Sequence, residues 1–154
     1  MKEEIELELA MLRQHLDSFR PLRMAVFLRP PDTVELMALA AALHAFYNGI
    51  ENTLKRIAVH LDAGLPRGEA WHQRLLASMA EPGLKRPAAI SAELRHTLRG
   101  YLNFRHFFRQ AYSFQLKWDR MSALVRDCEN TLARLDAEMD AFIQATRATQ
   151  SGAQ

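Results

Sequence analysis

The sequence predicts an all-α protein, an up-and-down bundle of about five helices, on three observations. Apolar residues recur at alternating spacings of four and three: through Ile5, Leu9, Leu12, Leu16 and Phe19, through a long run from Leu36 to Leu61, and again from Trp118 to Phe142. No stretch alternates apolar and polar residues between turn signals, as a strand would. The Pro- and Gly-rich intervals, around 64–68 and 82–87, have the length of helix connections rather than of domain linkers.

The first helix starts near Ile5. Pro21, which has no amide proton and crowds the preceding turn, kinks or ends it, and Leu22 to Leu28 can resume it until Pro30-Pro31. The second, about 33 to 62, opens on Asp32 with Glu35 three residues later, the spacing of a capping box. Gly49 in its middle costs roughly 1 kcal/mol in propensity, which a close helix crossing would justify. A short third helix, Glu69 to Met79, buries Trp71, Leu75, Leu76 and Met79. Ser91 caps the fourth, with Glu93 in the first turn suiting the helix dipole, and this helix frays after Tyr112. The fifth carries its apolar seam for about three heptads. One domain over 1–146 and a flexible tail over 147–154 are expected.

A chain of 154 residues with 49% apolar content is long enough for one real core. Its single cysteine, Cys128, sits in an apolar heptad slot, which predicts a buried inert thiol and no disulfide framework. No run approaches a membrane span, and the start MKEEIELE is acidic where a signal peptide would be basic. A soluble cytoplasmic protein follows from these two observations. The six histidines include no i, i+4 pair, so no metal site and no cofactor are expected. Phosphate-cradling glycine motifs are missing, as is the Gly-Ser with a following Asp-x-Asp that a nucleotidyltransferase would carry.

Charge is nearly balanced overall at +2 but unevenly placed. Between Lys85 and Arg126 stand nine Lys or Arg against two acids, Glu93 and Asp119. On a helix turning about 100° per residue, Arg105, Tyr112, Arg109, His106, Arg99 and Gln110 share one side, opposite an aromatic arc of Tyr101, Phe104, Phe107, Phe108 and Ala111. The polar side is therefore expected to be displayed. It reads either as an ordinary solvated Arg-rich face or as a phosphate-attracting site with two fixed cations. On the second helix, His44, Tyr47, Asn48 and Glu51 line one face, as an interhelical hydrogen-bond network or as support for the basic helix. Trp71 and His72 read as a packing residue and a surface residue.

The segments LHAFYNGIENTLKRIA (43–58), PRGEAWHQRLL (66–76), RP (86–87) and YLNFRHFFRQAYSFQLKW (101–118) together resemble the HepT-like branch of the HEPN family. The resemblance implies a HEPN-like bundle that forms a homodimer, with two motif helices lining a shared groove. It also implies a metal-independent ribonuclease toxin acting on RNA, and a minimal nucleotidyltransferase antitoxin that adenylylates a tyrosine of the toxin. In this sequence Arg105 matches the motif arginine, His106 the adjacent polar position and Tyr112 the tyrosine. Gln110 stands where the motif has histidine, and an amide cannot accept a proton from a ribose 2′-hydroxyl as an imidazole does.

His106, one turn away, can replace it; a shifted register pairing Arg99 with His106 is the other possibility, and it loses the tyrosine because Phe108 stands two past His106. The resemblance thus yields Arg105, His106 and Gln110 as catalytic candidates, Arg99 and Arg109 as RNA phosphate contacts, and Tyr112 as the modified residue. A non-catalytic HEPN subunit that only binds a nucleotidyltransferase complex is the alternative that Gln110 favours.

Overall fold

The computed structural model describes residues 1–151 and forms five α-helices joined by short connections. These are α1 (Lys2–Ala25), α2 (Thr33–Leu61), α3 (Trp71–Met79), α4 (Ala92–Phe108) and α5 (Trp118–Ser151), with a single 3-10 turn, Ser113–Gln115, between the last two. The all-α bundle expected from periodicity is the fold observed. Among the described residues no strand forms, and no helix is long and apolar enough to cross a membrane.

The helix starts follow the capping chemistry. Asp32 accepts from the Glu35 amide at 2.8 Å while the Glu35 carboxylate accepts from the Asp32 amide at 3.1 Å, closing the box that starts α2. Ser91 Oγ accepts from the Leu94 amide at 3.0 Å at the start of α4 and is itself held by Glu138 of α5. Pro21 neither ends nor interrupts α1, which continues to Ala25. The turn beyond the proline is tied down by buried Arg23, which donates to the Leu16 carbonyl and to Glu129 of α5, each at 2.8 Å.

Gly49 marks the expected crossing. A Cβ built there would lie 2.5 Å from Leu12 Cδ2, so α1 and α2 touch backbone to side chain at this point. One hydrophobic core runs the length of the bundle, with Phe46, Tyr47, Ile50 and Leu54 of α2 at its centre and the heptad seam of α5, Val125 to Met139, closing one side. Cys128 is fully buried, its thiol donates to the Val125 carbonyl at 3.1 Å, and burial pushes its pKa up, as befits an unreactive thiol.

Three boundaries differ from the sequence reading, and α4, which ends at Phe108 rather than after Tyr112, is one of them. The third helix begins at Trp71, because positive-φ Gly68 (94°) turns the chain immediately before it. The fifth continues as helix through 147–151, where a flexible tail was expected; residues 152–154 of that expectation lie outside the described residues. The connection from α3 to α4 is pinned by buried Arg86, which reaches both oxygens of Asp62 at 2.8 Å and the Glu81 and Ser78 carbonyls.

Candidate functional site

The buried side of α4 is set by its leucines as much as by its aromatic rings. Leu94, Leu98, Tyr101 and Leu102 are all buried, and the arc they define includes position 105. Arg105 is therefore not displayed on an outer face, as the aromatic arc alone had suggested; it is half-buried and directed at α2. The same rotation leaves Phe107, expected in the buried stripe, 39% exposed.

Arg105 Nε donates to Asn48 Oδ1 at 2.6 Å, and the amide group of Asn48 lies 3.3 Å from His44 Nε2, one turn back on α2. A guanidinium only donates, so the Asn48 oxygen faces Arg105 and its NH2 donates to His44. His44 Nε2 is consequently the unprotonated nitrogen, and the ring proton resides on Nδ1, which is buried without a partner. Burial, with the Arg105 and Arg109 cations adding to it, lowers the His44 pKa below its ordinary 6.5, so the imidazole is neutral at neutral pH. Its ring packs on Phe108 at 5.4 Å.

The rest of the α2 face continues the polar line toward α3. Tyr47 is fully buried with an unpartnered hydroxyl, whose pKa burial and the Glu51 charge push upward against the pull of Arg105. Glu51, 2% exposed, accepts from His72 Nδ1 at 2.5 Å and lies 3.5 Å from Lys55 Nζ. Lys55 in turn stands 5.0 Å over the Trp71 ring, which stacks on His72 at 3.7 Å. His72 is thus no ordinary surface residue: it donates a hydrogen bond to a buried carboxylate that Lys55 also faces, and a buried carboxylate without such partners would be costly. The α2 face is both an interhelical network and a support for the basic helix.

The other sequence candidates are not all brought together. His106 is exposed in the last turn of α4 and makes no side-chain hydrogen bond among the described residues, and Arg109, also exposed, caps the helix end. Gln110 is exposed in the turn that follows. Tyr112 is not on the helix. Its backbone is extended, its amide donates to Gln115 Oε1 at 2.7 Å in place of a helical bond, and its ring is 71% exposed and stacked on Phe114 at 5.8 Å. The wheel that set Tyr112 beside Arg105 extended a helix that stops at Phe108. Arg99 faces α3 rather than the Arg105 site. His44, which the sequence placed on the polar α2 face but not among the catalytic candidates, is the histidine that the Asn48 contact links to Arg105.

Ion pairing separates the cations of the chain. Arg13, Arg20, Arg23 and Arg29 of α1 and its connection each pair with a carboxylate, as does Arg56 of α2. Among the described residues Arg99, Arg105, Arg109, Lys117 and Arg120 do not, so the local positive charge read from the sequence is left for an outside anion. No curated protein and no solved structure matches this chain. Residues 38–146, from the second turn of α2 into α5, match the sequence model of a family described as HepT-like protein, a span that contains Asn48, His44 and the whole of α4. The chain belongs to the HepT-like family.

Proposed function

We propose that this chain is a HEPN-type metal-independent endoribonuclease, the toxin of a pair whose other member is a minimal nucleotidyltransferase. The observation that carries the reading is the chain Arg105, Asn48, His44: an oriented cation beside a neutral imidazole, whose basic Nε2 takes a substrate proton only on releasing the Asn48 amide. On this reading a ribose 2′-oxygen attacks the adjacent phosphorus, a histidine removes the 2′-hydroxyl proton, and the 5′-oxygen of the next nucleotide departs and is reprotonated, leaving a 2′,3′-cyclic phosphate. Arg105 and Arg109 offset charge growing on the nonbridging oxygens. His106 is the sequence candidate for the proton transfer; His44 has the orienting contact that His106 lacks. Gln110 has no basic atom for the task.

A homodimer doubles the unpaired arginines across a two-fold axis and makes a groove that one copy does not supply. Tyr112, exposed and three residues past Arg109, is open to adenylylation by the partner, and the added phosphate would compete with RNA for the arginines. RNA degradation by the purified protein in chelator tests the reading. Wild-type cleavage that falls by about 10² to 10⁴ in Arg105→Ala and in one of His44→Ala or His106→Ala is expected. Cleavage that persists in all three variants removes it. The second reading, a non-catalytic subunit that binds a nucleotidyltransferase, draws on exposed Gln110 at the motif's histidine place; a wild-type protein inert on RNA that still captures the partner selects it.

A further inference from the structure

Between α3 and α4 lies a cleft of about 320 Å³, distinct in its walls from the Arg105 site. Arg95 and Arg99, one turn apart on α4, face Arg74 of α3 across it, and Leu76, Ala77 and Leu102 form an apolar floor. No acidic residue lines the cleft, and none of the three guanidiniums enters an ion pair among the described residues. Arg74 is further fixed, because its Nη1 donates to the Arg67 carbonyl at 2.8 Å, a contact that orients the cation without neutralising it.

Three like charges held around one concavity repel one another, and an anion relieves that repulsion. The volume is at the lower end of small-ligand sites, roughly 300 Å³ and upward, so the cleft suits one compact unit with an anionic end and a flat apolar body. We propose that it binds a single nucleotide unit, the phosphate on the arginine rim and the sugar and base against the apolar floor, with the Gln73 amide within the lining to meet a base edge. Arg99 stands six residues before Arg105, about 9 Å along the helix axis and about 120° around it, so a strand engaged at Arg105 reaches this cleft by crossing α4. That the unit belongs to an RNA strand rests on the ribonuclease reading; the nucleotide site itself does not.

The test uses the full chain with two probes, adenosine 5′-monophosphate and a single-stranded RNA dodecamer 2′-O-methylated throughout, which has no 2′-hydroxyl to attack. Binding is measured at several salt concentrations for wild type, Arg74→Ala, Arg95→Ala, Arg99→Ala and the triple variant, with circular dichroism to check the helices. Each single change is expected to weaken binding roughly tenfold, as for a lost charge-assisted hydrogen bond. The salt slope for the dodecamer should fall by about one per arginine. Loss for both probes supports a strand site, and loss for the monophosphate alone supports a free-nucleotide site. Unchanged affinity and salt slope in the triple variant overturn the proposal. These binding losses in a protein that does not degrade RNA would leave the cleft standing and remove the ribonuclease reading; cleavage by wild type with no binding loss would do the reverse.

Discussion

Arg105 of α4 and Asn48 of α2, 57 positions apart in the chain, share a 2.6 Å hydrogen bond that orients the half-buried motif arginine. Because the Asn48 oxygen is taken by Arg105, its amide protons are left for His44, and the three side chains act as one unit. Asn48→Ala should therefore reduce RNA cleavage at saturating RNA by about tenfold or more while changing RNA affinity little, since the arginine keeps its charge and loses its orientation. A steady-state comparison separating kcat from KM checks this.

The His44 imidazole should titrate below its ordinary value, and Arg105→Ala should move it upward by removing one of the cations that oppose its protonation. Two-dimensional NMR of the ring protons against pH reads both values. For stability the sign is set by the depressed pKa in the fold: below the unfolded value near 6.5 the unfolded chain binds the proton more readily, so this group's contribution is lost as pH falls from there through the folded pKa. His44→Gln should flatten that part of the stability profile.

Gly49→Ala should destabilise the protein although alanine is the better helix former. The added methyl falls 2.5 Å from Leu12 Cδ2 and 2.9 Å from its Cγ, and Leu12 is buried in the α1/α2 crossing, so it moves aside only by displacing its neighbours in the core. Overpacking of about 1 to 3 kcal/mol outweighs a propensity gain near 1 kcal/mol, and thermal unfolding should show a Tm lower by a few degrees.

Glu51→Ala should cost about 2 to 3 kcal/mol, read by denaturant unfolding, because it strips His72 and Lys55 of their shared buried acceptor and leaves a void beside Trp71. A variant as stable as wild type would show that the α2–α3 link contributes nothing.

Co-expression with a nucleotidyltransferase partner should add one nucleotide monophosphate to the chain by intact mass, and Tyr112→Phe should remove the addition. The exposed ring makes the hydroxyl reachable without unfolding, whereas the buried hydroxyl of Tyr47 and that of Tyr101, which donates to the Leu124 carbonyl at 2.8 Å, are not. A modified mass that survives Tyr112→Phe assigns the acceptor elsewhere.

What the sequence determined by itself was local: where helices begin, through Asp32, Glu35 and Ser91; which seam of α5 is apolar; that Gly49 marks a crossing; that positive charge gathers in the second half of the chain. These follow from spacing and capping, which depend on near neighbours only. The tertiary structure decided which way α4 faces, since that rotation is set by all its residues that pack against α2, α3 and α5, and the aromatic arc alone pointed Arg105 outward. Where α4 stops is a local matter that the helical wheel overran: the Gln115 side chain, three residues on, takes the Tyr112 amide, and the tyrosine lies outside the helix. The pairing of Arg105 with Asn48 and His44, and of Glu51 with His72, brings together helices distant in sequence, and no periodicity within one helix encodes the partner across the gap.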